Sequence, residues 1–436
     1  MENGRRFFYL LRMAAEAHAR WEIDSANEIL RNRKKLLILL ALSLPALAFV
    51  GYSFAAGDFL GGKEAYAPAF YSTNIFIISI FIGLAAGLIT GCIGAGGGFV
   101  ITPALMSAGV KGILAVGTDL FHIFAKAIMG TAVHKKLGNV SVKLAITFLV
   151  GSVIGVVIGG GINRAIYEYN PVMSDFFISL VYVLLLGFLG IYAMTDFIRL
   201  SRAGRQTKIV APDAPKAAGA ASGTTGLAQK LQSIHVPPMI TFDEDLVPGG
   251  NKISALFVVI CGFIVGLVAA IMGVGGGFLT FPMFVYLLGV SSFTTVGTDI
   301  LQIIFTAGFA AISQYAIYGF IFYTLAMGML LGSLFGIQVG ALTTKVVKGI
   351  YIRGFYAITI LAGFINRIFA LPKKLNQMEY ISISKGLAGW IDFIGMIIFF
   401  TIVAAFGLWV FSMFFKNINV LRGKEAAMEG VGEGAH

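Results

Sequence analysis

Twice in this chain an apolar run is broken by a block of glycines, Gly94-Ala95-Gly96-Gly97-Gly98 and Gly273-Val274-Gly275-Gly276-Gly277. Each block is followed by Phe and then Pro, as Phe99 with Pro103 and Phe278 with Pro282. The two copies stand 179 residues apart, from residue 94 to residue 273. Further on, Val116-Gly117-Thr118-Asp119 returns as Val296-Gly297-Thr298-Asp299, and Gly151-Ser152 with Gly155 and Gly159 returns as Gly332-Ser333 with Gly336 and Gly340. One unit has been duplicated, and each copy contains a segment that cannot stay helical throughout. Glycine costs about 1 kcal/mol relative to alanine inside a helix. In lipid, the backbone groups this frees need partners from protein or from a water-lined cavity.

Composition says why lipid is the relevant solvent. Of 436 residues, 58% are hydrophobic and 12% charged, where soluble domains carry about a quarter charged residues. Apolar runs near residues 36–55, 75–93, 113–133, 142–161 and 175–198, then 253–272, 293–317, 320–343, 350–371 and 390–415, approach the roughly 20 residues a span requires. They predict an all-α polytopic membrane protein with about ten spanning helices, two broken half-helix segments and two homologous repeats. The runs 99–109 and 278–289 reach only about 16–18 Å at 1.5 Å per residue and do not cross alone. The net charge of +11 lies outside the apolar runs, where positive-inside bias and anionic inner-leaflet lipid account for it without a nucleic-acid partner. Cys92 and Cys261 sit inside apolar runs as small packing residues rather than a disulfide or metal pair. Five scattered histidines and no paired nucleophile and base argue against an intramembrane enzyme, a metal or a cofactor.

The chain divides into a basic amphipathic arm (1–35), a first transmembrane helix with its external loop (36–73) and transport repeat 1 (74–200). A polar stretch at 201–252 reads as a flexible cytoplasmic linker, before transport repeat 2 (253–372), a loop with the last span (373–415) and a C-terminal tail (416–436). Positive-inside bias puts both termini, His134-Lys135-Lys136 and the linker in the cytoplasm. That closes only if each broken segment enters and returns, which makes the repeats inverted, the arrangement from which alternating access follows naturally, with a parallel four-plus-four duplication as the alternative. Lys373, Lys374 and Lys385 then fall outside, against the bias. The oligomeric state is open, a homodimer being one option.

The half-helices that begin at Phe99 and Phe278 present unpaired N–H groups and positive dipole ends at membrane depth, with proline tolerated in the first turn. This makes Gly96, Gly97, Gly98, Phe99 and Thr102, with Gly275, Gly276, Gly277, Phe278 and Thr280, candidate contacts for a small anion. The competing reading is that these glycines only permit close packing. Asp119, His122 and Lys126 share one helical face inside a span, and an ionised group at the bilayer centre costs about 2.5–3.5 kcal/mol. Their counterparts 180 residues on are Asp299, Gln302 and Thr306. The aspartates recur and read as architectural, taking hydrogen bonds from loop backbone or pairing with Lys126; they are also the candidates for proton coupling. His122, Lys126, Gln302 and Thr306 are candidate substrate contacts. The every-fourth glycines at 151, 155 and 159 and at 332, 336 and 340 read as packing faces. Arg164 and Arg367 read as interfacial anchors.

Taken together, the doubled Gly-x-Gly-Gly-Gly-Phe-x-x-x-Pro, Val-Gly-Thr-Asp and Gly-Ser-x-x-Gly motifs resemble the TauE/SafE family of sulfite exporter-like permeases, over about residues 75–200 and 253–412. The resemblance implies a multi-pass inner-membrane permease for sulfite, sulfonates such as sulfoacetate, or other small organic anions. The basic arm and the long mid-chain stretch depart from the compact family pattern. A passive channel and a proton- or cation-coupled importer remain alternatives.

Overall fold

The computed structural model describes residues 73–93, 97–136, 141–206, 226–243, 250–344, 346–347 and 349–417. The basic arm, the first predicted span and the C-terminal tail beyond residue 417 lie outside the described residues. The chain runs through α1 (Thr73–Ile93), the half-helix α2 (Gly98–Ser107), α3 (Gly112–Lys136), α4 (Val142–Tyr169) and α5 (Pro171–Gln206). A short α6 (Gly226–Ser233) and a hairpin of β1 (Met239–Phe242) and β2 (Asn251–Ser254) lead to α7 (Ala255–Met272). The half-helix α8 (Gly277–Pro282) continues as a π-helical turn (Met283–Leu288), and α9 (Ser292–Ala310) continues as a second one (Ala311–Ala316). The chain closes with α10 (Tyr323–Thr343), α11 (Gly349–Gln377) and α12 (Lys385–Lys416).

Among the described residues, seven helices are long and apolar enough to cross a membrane: α1, α4, α5, α7, α10, α11 and α12. Of the other predicted spans, α3 is 25 residues long and carries buried Asp119, His122 and Lys126. The α9 unit also carries buried polar groups, and 36–55 is not described.

The π turns explain an irregularity in the repeat. The offset between copies is 179 at Pro103 and Pro282, 180 at Gly109 and Gly289, still 180 at Asp119 and Asp299, and 181 at Ser152 and Ser333. Each extra residue in the second repeat falls where that repeat has a π turn, which is how a helix absorbs one inserted residue without losing register. Gly109 (φ +94) and Gly289 (φ +73) both end their half-helices in the left-handed conformation that glycine permits.

Packing crosses between repeats. On α4, a Cβ added to Gly151, Gly155 or Gly159 would run into the carbonyls of Val259, Phe263 and Leu267 on α7. On α10, Gly332, Gly336 and Gly340 stand in the same way against Ile80, Leu84 and Leu88 on α1. Numbers rise together in both pairs, so α4 runs alongside α7, and α10 alongside α1, in the same direction. These are the packing faces the every-fourth spacing predicts. The chain turns back after α1: Gly97 lies against Ala86, and α2 then runs antiparallel to α3, with Gly98 at Ile123 and Thr102 at Asp119.

The expected flexible linker at 201–252 is corrected over its described part. Residues to 206 extend α5, and α6 with the hairpin packs on the second repeat. Gln232 Nε2 donates to Leu288 O (2.8 Å), and Asp243 accepts from Ser291 N (2.8 Å) and Ser291 Oγ (2.7 Å). Polar residues that resemble linker composition here cap the end of a helix and the start of the next.

Candidate functional site

The two glycine blocks meet. A Cβ on Gly98 would come within 2.9 Å of both the Ile123 side chain and Val274 Cα, and one on Gly275 (φ +64) would strike Ile123 at 2.7 Å. Gly276 (φ +88) and Gly277 open α8, and Gly277 faces Ile303 and Asp299 on α9. Behind them the fully buried rings of Phe99 and Phe278 sit 6.2 Å apart, with Tyr356 of α11 edge-on to Phe99 at 5.7 Å. Phenylalanine at these two places closes the contact between the half-helices with apolar surface rather than lining an open passage. Gly96 lies outside the described residues.

Each aspartate fixes a half-helix. Thr102 Oγ1 donates to Asp119 Oδ2 (3.1 Å), tying α2 to α3. In the second repeat Gln302 Nε2 donates to both Asp299 Oδ1 (2.8 Å) and Thr280 Oγ1 (3.2 Å), tying α8 to α9. Thr280 in turn donates to Gly276 O (3.0 Å). The hydroxyl of Thr102 and the amide of Gln302 thus hold the two carboxylates, where loop backbone or Lys126 was expected.

Lys126 does not close on Asp119. Its Nζ donates to Thr90 Oγ1 on α1 (3.2 Å), the same oxygen that accepts from Gly97 N (3.0 Å). Thr90 donates its own proton to Ala86 O (2.7 Å), so its acceptor capacity is what serves the two incoming donors. A buried ammonium and the amide end of α2 are thereby brought to one atom. Val100 and Ile101 close their own bonds onto Gly97 O (3.0 and 3.3 Å).

His122 Nε2 lies 3.0 Å from Ser333 Oγ, which also stands 3.2 Å from Leu330 O. The direction of that hydrogen bond, set by whether Ser333 donates to Leu330 O or to the ring, fixes the tautomer. His122 Nδ1 faces Asp119 Oδ1 at 3.7 Å, both atoms buried and neither with a hydrogen-bond partner. The second repeat has a closed counterpart: Thr306 Oγ1 donates to Gln302 Oε1 (2.8 Å) and meets Ser152 Oγ at 2.7 Å. Gly308 on α9 packs against Phe124 on α3, and Gly117 on α3 against Tyr315, so the helices cross antiparallel. Continuing that register puts Lys126 level with Thr306.

Several polar contacts escape the sequence reading. Ser152 and Ser333 carry hydrogen bonds across the repeats, although their glycine neighbours read only as packing. Thr118 Oγ1 accepts from Phe322 N, and its counterpart Thr298 Oγ1 accepts from Ser141 N, both at 3.0 Å, so each repeat caps a helix of the other. The recurrence of that threonine in Val-Gly-Thr-Asp is the signal that marks it. Tyr182 donates to Met272 O (2.7 Å) and Tyr315 to Ala270 O, holding the last carbonyls before the second break. Arg367 is corrected from an interfacial anchor to a buried group at the end of α2, donating to Pro103 O (3.2 Å) and Ser107 Oγ (2.7 Å). Arg164 donates to Gln314 and stacks on Tyr318, 4.0 Å from the ring centroid.

A multi-helix apolar shell around two broken helices, with buried polar groups where they meet, defines a membrane permease of many passes. A family model described as "Sulfite exporter TauE/SafE" matches residues 79–367, and the chain belongs to that family. It is 27% identical over 273 residues to the probable membrane transporter protein YjnA of Bacillus subtilis (strain 168), covering 62% of this chain and 89% of that one. To the probable membrane transporter protein YunE of the same organism it is 25% identical over 275 residues, covering 61% and 87%. The probable membrane transporter protein MJ0441 of Methanocaldococcus jannaschii is 23% identical over 214 residues, covering 47% and 59%. No solved structure matches the chain.

Proposed function

We propose that the chain exports a small sulfur-containing anion, such as sulfite, a sulfonate or a related organic anion, by alternating access at the meeting point of its broken helices. The observation that carries this reading is Thr90 Oγ1, which holds the Lys126 ammonium and the Gly97 amide within 3.2 and 3.0 Å of one point. A helix N-terminus favours negative charge, and a lysine beside it adds to that preference. Gln302 and Thr306 complete the polar surface from the other repeat. The name of the family points to the same class of cargo.

Alternating access follows naturally from inverted repeats. Support for inversion comes from the antiparallel crossing of the equivalent helices α3 and α9, and from α1 running with α10 and α4 with α7. The lysines that argued against this topology weigh less as topogenic charges, since Lys373 pairs with Asp392 and Lys374 with Asp175, each at 2.8 Å. With the termini cytoplasmic, a dianion leaving a cell at a 100 mV interior-negative potential gains roughly 4.6 kcal/mol, so export runs without a coupled ion.

A second reading, proton-coupled uptake, is favoured by the facing bare atoms of Asp119 and His122. One proton between them would close the gap. The test for both is counterflow of labelled sulfite in proteoliposomes, with sulfate and sulfoacetate as competitors and with or without an imposed proton gradient. Saturable exchange, reduced at least tenfold in Lys126→Ala and indifferent to the gradient, supports the export reading. Accumulation that follows the gradient selects the coupled one. Unsaturable flux rejects a carrier altogether.

A further inference from the structure

A cavity of about 420 Å³ opens where the C-terminal end of α2 meets the start of α5, the end of α11 and the start of α12. Four cations line it, Lys111, Arg367, Lys373 and Lys374, against two carboxylates, Asp175 and Asp392. The carboxylates are already engaged, each by one lysine. Arg367 is only 2% exposed. Its partners are all neutral: Asn366 Oδ1, Ser107 Oγ, Pro103 O and the Met106 sulfur.

Buried charges are ordinarily paired, because desolvation is costly without a counter-charge. The carbonyls ending α2 supply about half a negative charge at most. Arg367 shares the field of Asp392 and Asp175 with the two lysines, so a buried guanidinium with no ion-pair contact of its own stands on the wall of a space large enough for a small molecule. Its Nε and Nη2 are held by Asn366, Ser107 and Pro103, whereas Nη1 meets only the weak acceptor of the Met106 sulfur, so Nη1 is the N–H left to give an oxyanion a charge-assisted hydrogen bond. Arg367 also donates to Pro103 O, next to Thr102, whose hydroxyl holds Asp119, so this side chain stands between the cavity and the central polar cluster.

We propose that this cavity is a second anion site, a vestibule that takes an oxyanion of the sulfate, sulfonate or phosphate type at Arg367. Part of its wall, Gly389, Asp392 and Phe393, comes from α12, which lies outside the repeats. The duplication therefore does not by itself make a second copy of this wall.

Gly389 is a reporter position, since a side chain added there meets nothing within 4 Å. The two native cysteines are buried and contribute little background. In purified full-length Gly389→Cys, the rates of modification by anionic sulfonatoethyl and cationic trimethylammonioethyl methanethiosulfonates are compared, each normalised to a free thiol. With a net charge of about two on the walls, the anionic reagent should be favoured roughly three- to tenfold at moderate salt. Millimolar sulfate, at constant ionic strength, should slow it; sulfite is avoided because it cleaves thiosulfonates. Asp392→Asn should raise the anionic preference, whereas Lys111→Gln should lower it. Arg367→Gln should abolish sulfate protection, and if that variant does not fold, the first two decide. Protection by sulfate in lipid-free micelles identifies a free anion as the occupant. Protection only by phosphatidylglycerol in nanodiscs identifies a lipid headgroup. Equal normalised rates, unchanged by sulfate and by both charge variants, would overturn the site. None of these readouts requires transport, so a failed counterflow experiment leaves this one standing.

Discussion

Thr90 gathers two donors that have few alternatives in an apolar surround. Replacing its hydroxyl by a methyl group, as in Thr90→Val, keeps the volume and removes the acceptor for both Gly97 N–H and Lys126 Nζ. An orphaned buried donor costs about 1–3 kcal/mol, more when it is charged. The unfolding midpoint in detergent should therefore fall by several degrees in Thr90→Val, while Thr90→Ser stays close to wild type; equal midpoints for all three would remove Thr90 from the frame. Lys126 was legible in the sequence because a charge in a span demands an explanation. Thr90 was not, since a lone threonine in an apolar run ordinarily satisfies itself on its own helix, as this one does with its proton at Ala86 O. What matters is its remaining acceptor capacity, which only the fold directs at Lys126.

The helices divide in the same way between what spacing reveals and what it hides. Contiguous glycines announce a break and glycines every fourth residue announce a contact, because each is a local rule of backbone geometry. The contact can be tested with a matched pair. Gly332→Ala puts a methyl group into the Ile80 carbonyl, whereas Gly161→Ala points into open space. Separating two packed helices should cost about 1–3 kcal/mol, so Gly332→Ala should unfold several degrees lower and Gly161→Ala no lower than wild type. Comparable losses would show that helix propensity, not the α1–α10 contact, governs this position. The π turns were also written in the sequence, as the drift in repeat offset from 179 to 181 between Gly94 and Ser152. The ordered part of the predicted linker was not. Its polar side chains are satisfied by helix ends brought near only in three dimensions, and composition alone cannot tell a cap from a solvated loop.

At the scale of the whole molecule, duplication leaves one question that decides the mechanism, whether the two repeats face opposite ways. Tyr169 ends α4 in the first repeat, and Tyr351 begins α11 at nearly the equivalent place in the second; they are 82% and 56% exposed, enough for a cysteine at either to be labelled. Inverted repeats put them on opposite sides of the membrane, and a parallel duplication puts them on the same side. Tyr169→Cys should react with a membrane-impermeant maleimide in intact cells, and Tyr351→Cys only after permeabilisation. Tyr380→Cys, in the turn between α11 and α12, should behave like Tyr169→Cys. The buried Cys92 and Cys261 keep the native background low. If Tyr169→Cys and Tyr351→Cys label from the same side, alternating access by exchange of inverted halves is lost, and the crossing of α3 and α9 must be read as packing alone. Labelling from opposite sides ties the Lys126–Thr306 level to the centre of a two-faced carrier.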